Sequence, residues 1–114
     1  STYICHPSMG NNEVSGPVLA TTIGKYINNI KIKNYSYRMI FIPETIGSIV
    51  YLSKNITKMK KNIKAGFNLT CVGDNLEYSY IPSRNGNTLA DNILKHVLKE
   101  NYCRQIYLRS REQI

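Results

Sequence analysis

Apolar positions come in short blocks separated by polar punctuation. Tyr3-Ile4-Cys5 has the β-branched and aromatic character of a buried strand, and the run stops at His6. Between Val14 and Ile30, the residues Val14, Val18, Leu19, Ile23, Tyr26, Ile27 and Ile30 recur at three-to-four spacing, which predicts an amphipathic helix with one buried face. Ser15 is placed to cap this helix and Pro17 is tolerated in its first turn, so the helix spans about Ser15 to Asn28. The run from Tyr37 to Ile42 is too short for a helix and reads as a buried central strand ended by Pro43. Thr45 to Ser53 then forms a short helix ahead of Asn55 and a lysine-rich stretch. Lys64 to Val72 is the next strand, Asp74-Asn75 its turn, and Leu76 to Ile81 the return strand of a hairpin. Pro82 to Asn87 has loop chemistry, and Thr88 with Asp91 three positions later opens a capped helix through Lys99. Tyr102 to Leu108 is a final strand.

The order strand, helix, strand, helix, hairpin, helix, strand predicts an α/β fold, with a mixed, mostly parallel sheet and flanking helices. Residues 1–5, 37–42 and 64–72 should be neighbours in one sheet, with the first helix packed on its face. The 114 residues suit one small domain. The first residue nevertheless falls inside an apparent strand and the last ones carry no stop signal. Residues 1–114 therefore read as a fragment of a single α/β domain, an incomplete domain expected to leave a strand edge and apolar surface uncovered.

Charge and cysteines narrow the picture. The formal net charge of +8 raises nucleic-acid binding, since clustered basic side chains bind phosphate by releasing counterions. The lysines are spread along the chain, and the one dense run, Lys58-Met59-Lys60-Lys61, has no interleaved aromatic residues to stack bases. A solvated charge excess is the better reading. Cys5, Cys71 and Cys103 are far apart and form no Cys-x-x-Cys pair, which fits a reduced, cytoplasmic setting. No signal-peptide pattern or membrane-spanning apolar run is present, so no membrane partner is expected.

Candidate chemistry gathers where the first strand meets the first helix. His6 falls at a strand end, where open α/β sheets place their ligands, and the following loop supplies Asn12 and Glu13. Glu44 sits just beyond the central strand. Strands joined by one helical crossover lie adjacent or one apart, so His6 and Glu44 should open into one crevice within roughly 10 Å. Each residue also has a plain structural role available: Glu13 can favour a helix macrodipole, Asp74 can form a turn, Asp91 can be a cap partner, and His96 suits a partly buried helix face with Leu89, Ile93 and Val97. Arg84, in a Gly/Asn-rich loop, can hold a substrate carboxylate or be solvated.

Three stretches carry a resemblance: Cys5-His6-Pro7-Ser8-Met9-Gly10-Asn11-Asn12-Glu13-Val14-Ser15-Gly16-Pro17, then Tyr37 to Ser48, then Cys71-Val72-Gly73-Asp74 with Ser83 to Asn87 and Asp91. In this order they resemble the zinc aminopeptidase-like family of co-catalytic zinc peptidases. The resemblance implies a mixed α/β sheet flanked by helices, and one or two zinc ions that activate water against an amino-terminal peptide bond. It implies His6 as a metal ligand, Asn12 where many relatives carry a bridging aspartate, Glu13 as a neighbouring oxygen donor, and Glu44 as general base. Thr45 stands where relatives carry a second glutamate, and Asn12 cannot bridge as a carboxylate does. Arg84 is carried as a substrate-binding residue, and the expected partner is a peptide or an amide-containing small substrate. The alternatives are a catalytically silent module on the same scaffold, binding a peptide or amino sugar, and, third, a basic nucleic-acid-binding domain.

Overall fold

Thr2–Tyr3 forms the first strand, β1, and Phe41–Ile42 the second, β2, in the computed structural model, which describes residues 1–75, 79–101 and 107–108. The two pair in parallel, Thr2 opposite Phe41 and Tyr3 opposite Ile42. On the other side of β1, Thr2 makes a parallel bridge with Leu69, whose amide donates to the Ser1 carbonyl at 2.8 Å. The three expected segments are therefore neighbours, with β1 in the middle. The strands are shorter than the apolar runs. The pairing of residues 64–72 is confined to the Leu69 bridge, and β2 has no second partner among the described residues to hold the start of its run extended.

Gly10–Val14 forms one turn of π-helix that leads directly into α1, Ser15–Asn29. Ser15 is therefore not a cap. Because the chain is already coiled before it, the Ser15 hydroxyl donates back to the Asn11 carbonyl and accepts from the Val72 amide at 3.0 Å. The buried stripe of α1 also differs from the apolar one. Gly16 and Ala20 are buried and Ile23, Gly24 and Ile27 half-buried, whereas Val18 and Tyr26 are 60% and 71% exposed. Contact with β1 selects small residues here. A Cβ on Gly16 would lie 2.2 Å from Thr2 Oγ1 and 2.5 Å from the Leu69 carbonyl oxygen, so the helix sits as close to the sheet as a bare backbone allows.

The second helix, α2, runs over Ile46–Asn62, well past the expected end at Ser53. Asn55 does not break it, since its side-chain amide donates to the Tyr51 carbonyl one turn back at 2.9 Å. The lysines extend it: lysine is a good helix former, and Lys60 and Lys61 lie in the last turn, where positive charge complements the macrodipole. No residue of α2 is buried, and Ile46, Ile49 and Val50 are exposed.

The chain divides into two compact units, Ser1–Ile63 with Phe67–Asp74, and Lys64–Gly66 with the chain from Asn75 onward. Everything above belongs to the first. In the second, β3 (Ser79–Tyr80) pairs in parallel with β4 (Tyr107–Leu108), Ser79 opposite Tyr107. This corrects the expected hairpin, because β3 finds its partner beyond the next helix rather than across the Asp74-Asn75 turn. Residues 76–78 of the expected return strand and 102–106 of the final one lie outside the described residues. Every ladder described is parallel, so the architecture is α/β with short parallel pairs and helices.

Between β3 and β4 lies α3, Leu89–Asn101, and its start is the capping box that Thr88 and Asp91 predict. The Thr88 amide donates to Asp91 Oδ2 at 2.8 Å while the Asp91 amide donates to Thr88 Oγ1 at 3.3 Å. Asp91 does more than cap. It is 2% exposed and also accepts from the Tyr80 hydroxyl, the Ser83 amide at 2.9 Å and the Ser83 hydroxyl at 2.6 Å. These donors, led by the Ser83 and Thr88 hydroxyls, hold its carboxyl far below the usual carboxylate range, while burial and the Asp91 charge push the Tyr80 phenol up to about 12. His96 is exposed rather than partly buried, because the face it shares with Leu89, Ile93 and Val97 is open, those three being 55%, 40% and 43% exposed.

Two outcomes are expected for stability. Gly16→Ala should lower the unfolding free energy by about 1–3 kcal/mol in urea titration, the overpacking penalty exceeding the roughly 1 kcal/mol gain in helix propensity; a raised midpoint would show that α1 can move off the sheet. For Asp91, the folded-state pKa is depressed, so its contribution is complete above the ordinary carboxylate range and is lost as pH falls through that range toward the lower folded value. The wild-type thermal midpoint should therefore drop on acidification below about pH 4, and Asp91→Asn should flatten that decline while lowering the midpoint at neutral pH.

Candidate functional site

Parallel pairing sets the geometry of the rim. With Tyr3 opposite Ile42, the two chains leave β1 and β2 in the same direction, and continuing the register by two residues brings Cys5 level with Glu44. The Ile4 amide still donates to the Ile42 carbonyl at 3.2 Å, and the Glu44 amide then donates to Cys5 Sγ at 3.2 Å. One ligand atom each from Cys5, His6 and Glu44 gathers within a mutual separation of 4.8 Å. His6 and Glu44 are exposed and Cys5 half-buried, so the cluster faces out of the rim.

Glu13 lies beneath it. The π-helical turn swings its side chain inward, leaving the side chain only 3% exposed beside a His6 ring that is 50% exposed. The Cys5 amide donates to Glu13 Oε2 at 2.6 Å, and His6 Nδ1 lies 3.0 Å and Cys5 Sγ 3.6 Å from Oε1. The Cys5 amide first, then the His6 ring, hold the Glu13 carboxyl below its usual range, with burial acting the other way. A carboxylate at Nδ1 fixes both the ring orientation and the tautomer, so Nδ1 carries the proton and Nε2 is the nitrogen left to act on anything bound above. Glu44 is set by its own backbone. It is followed by Thr45 at φ 55°, ψ −75°, a conformation costly for a β-branched residue, from which the Thr45 carbonyl starts α2 by accepting from Ile49 at 2.9 Å.

The predicted residues separate into groups. His6 meets Glu13 directly and shares the outward cluster with Glu44. Asn12 is turned aside: its Oδ1 accepts from Thr70 Oγ1 at 3.0 Å and lies 3.6 Å from Cys71 Sγ, tying the π turn to the Thr70 and Cys71 side chains. Asp74 accepts from the Asn11 side-chain amide at 3.3 Å. Arg84 belongs to the second compact unit, on a loop closed by the Asp91 bonds and by Lys95, whose Nζ donates to the Gly86 carbonyl at 2.7 Å. Cys5 is the residue that sequence reasoning passed over. Its signal was adjacency to His6 at a strand end, which spacing rules for paired cysteines do not register. A shallow groove beside Gly24, Ile27 and Tyr35 lies at the opposite end of α1 and touches none of these residues.

The model of a family described as a domain of unknown function, DUF4910, matches residues 1–110. The chain belongs to that family. Over 98 residues, 86% of its length, this DUF4910 chain is 49% identical to a Clostridium acetobutylicum protein described as a "Putative polysaccharide biosynthesis protein with aminopeptidase-like domain". A crystal structure described as a "putative peptidase" from Clostridium acetobutylicum superposes on 91% of the chain with a TM-score of 0.80 at 47% identity. The chain spans 22% and 24% of the lengths of these two relatives. Among the described residues, no helix of this DUF4910 chain is long and apolar enough to cross a membrane.

The Glu13–His6 pair gives a direct test. In ¹⁵N NMR of the imidazole, His6 should report a single tautomer with the proton on Nδ1. Glu13→Gln should convert it to a mixture, because an amide can accept from or donate to the ring. An unchanged tautomer in the variant would mean that Glu13 does not orient the ring.

Proposed function

We propose that this chain contributes the metal-and-base rim of a zinc aminopeptidase-like hydrolase acting on an amino-terminal peptide bond or a related amide. The observation that carries the reading is the convergence of His6 and Glu44 from two neighbouring parallel strand ends, with the Glu13 carboxylate behind the histidine. The donor set suits zinc, which takes imidazole nitrogen, carboxylate oxygen and thiolate sulfur at about 2.0–2.3 Å in tetrahedral sites. The names of two relatives at 47–49% identity, one aminopeptidase-like and one a peptidase, point the same way.

Zinc in such a site supplies a bound water whose pKa is lowered to about 7 and a Lewis acid for the scissile carbonyl. His6 would hold the ion through Nε2. Glu13 keeps that ring in place and in the correct tautomer without spending its own oxygens on the metal. Glu44, exposed on the rim, takes the proton of the attacking water and returns it to the departing amine. Asn12, engaged with Thr70 and Cys71 and lacking a charge, favours a single metal over a bridged pair. That same engagement favours the second reading, a binding module for a peptide or amino sugar that does not hydrolyse it.

Aminoacyl-anilide hydrolysis by the purified protein tests the first reading. Activity should be abolished by a chelator and restored by zinc, and Glu44→Gln should lower kcat by about 10²–10⁴ while leaving the fold intact by circular dichroism. Saturable binding of the same substrates without turnover would instead establish the silent module.

A further inference from the structure

We propose that the Cys5 thiolate is itself a metal ligand, completing a mononuclear Cys5–His6–Glu44 site at the junction of β1 and β2. The inference rests on the metal-binding part of the reading above; it adds Cys5 as a donor and places the Glu44 carboxylate on the ion instead of on the attacking water. Three ligand types converge from two different strand ends: sulfur and nitrogen from consecutive residues after β1, and oxygen from the residue opposite them after β2.

The distances suit one ion. Zinc–sulfur bonds of about 2.3 Å and zinc–nitrogen or zinc–oxygen bonds of about 2.0–2.2 Å at tetrahedral angles place ligand atoms about 3.3–3.6 Å from one another. One ligand atom from each of the three residues lies within 4.8 Å of the others. The remaining gap of about an ångström is within the range of side-chain rotation at this exposed rim.

The Glu44 amide donates to Cys5 Sγ at 3.2 Å, which holds the sulfur beside the chain that leaves β2. Metal binding releases the thiol proton to solvent and forms the metal–sulfur bond, with no change of oxidation state. Glu13 supports both protein donors at once, fixing the His6 ring through Nδ1 and holding the Cys5 amide at 2.6 Å. With sulfur and one carboxylate as the two anionic donors, a divalent ion is neutralised without the bridging aspartate that Asn12 replaces. The fourth position stays open for water, as in hydrolytic zinc sites with three protein ligands.

Cobalt(II) alone, titrated into the full chain, is the probe. The expected result is uptake of one ion with a near-ultraviolet sulfur-to-cobalt charge-transfer band that disappears in Cys5→Ser and persists in Cys71→Ser. Glu13→Gln should weaken uptake by about 10–100-fold, the usual effect of removing a group that orients a ligand. To guard against a misfolded serine variant, alkylation of Cys5 in the unmodified protein is followed by peptide mass spectrometry, and metal should slow it at least tenfold. Cobalt bound without the band, a band that survives Cys5→Ser, alkylation at one rate with and without metal, or no uptake at all would each overturn the assignment. Chelator-sensitive hydrolysis without the band would remove Cys5 from the site and leave the proposed activity standing; the band without hydrolysis would do the reverse.

Discussion

The structure of the first compact unit depends on how closely α1 approaches β1. At Gly16 the helix backbone lies against Thr2 and the Leu69 carbonyl with no room for a side chain, and that approach fixes the height of the π turn relative to the strand end. Once it is set, the remaining contacts need only short reaches. Asn11 accepts from the Gly73 amide at 2.8 Å, Ser15 takes the Val72 amide, and Asn12 takes the Thr70 hydroxyl, so three side chains of one helical segment hold the 70–73 backbone where no ladder does. Glu13 points the other way, into the chain that leaves β1.

Glu13 is a buried anion whose partners are all local. Its carboxylate collects the Cys5 amide and the His6 ring from residues seven and eight positions away. A charge removed from water is tolerable only when hydrogen-bond donors surround it, and here those donors are the Cys5 amide and the His6 ring, on the chain that leaves β1. The same logic recurs in the second unit. Asp91 gathers donors from Tyr80, Ser83 and Thr88, and with Lys95 closes the loop that carries Arg84. In each unit one buried carboxylate organises a loop that would otherwise be free.

What the sequence made legible was whatever is encoded locally. Strands ending a few residues before His6 and Glu44, the helix from Ser15, and the Thr88–Asp91 box each depend on a few adjacent residues, and each is found in the structure. The pairing of β3 with β4 was not legible, because a turn signal at Asp74-Asn75 is local whereas a parallel partner lies beyond a helix. The end of α2 was missed because Asn55 looks like a breaker until its side chain bonds the Tyr51 carbonyl. Periodicity named only part of the buried stripe of α1, Ile23 and Ile27, for a related reason: it weighs hydrophobicity, while the sheet selected Gly16 and Ala20 for their size. Cys5 was overlooked because its approach to Glu44 comes from a neighbouring strand rather than from its own spacing.

The π-helical turn at Gly10–Val14 makes the rim sensitive to chain length as well as to composition. In an α-helix each residue advances the side-chain direction by about 100°, so a π turn amounts to a local offset in angular phase between the chain on its two sides. α1 is locked in azimuth by Gly16 on one side of that offset, and Cys5 and His6 are locked by β1 on the other. Removing one residue from the turn would restore ordinary helical phase, and Glu13 would be rotated away from the strand end even though every side chain of the rim was still present. The rim is therefore written partly in the number of residues between Met9 and Ser15, a property that substitution at any single position does not touch.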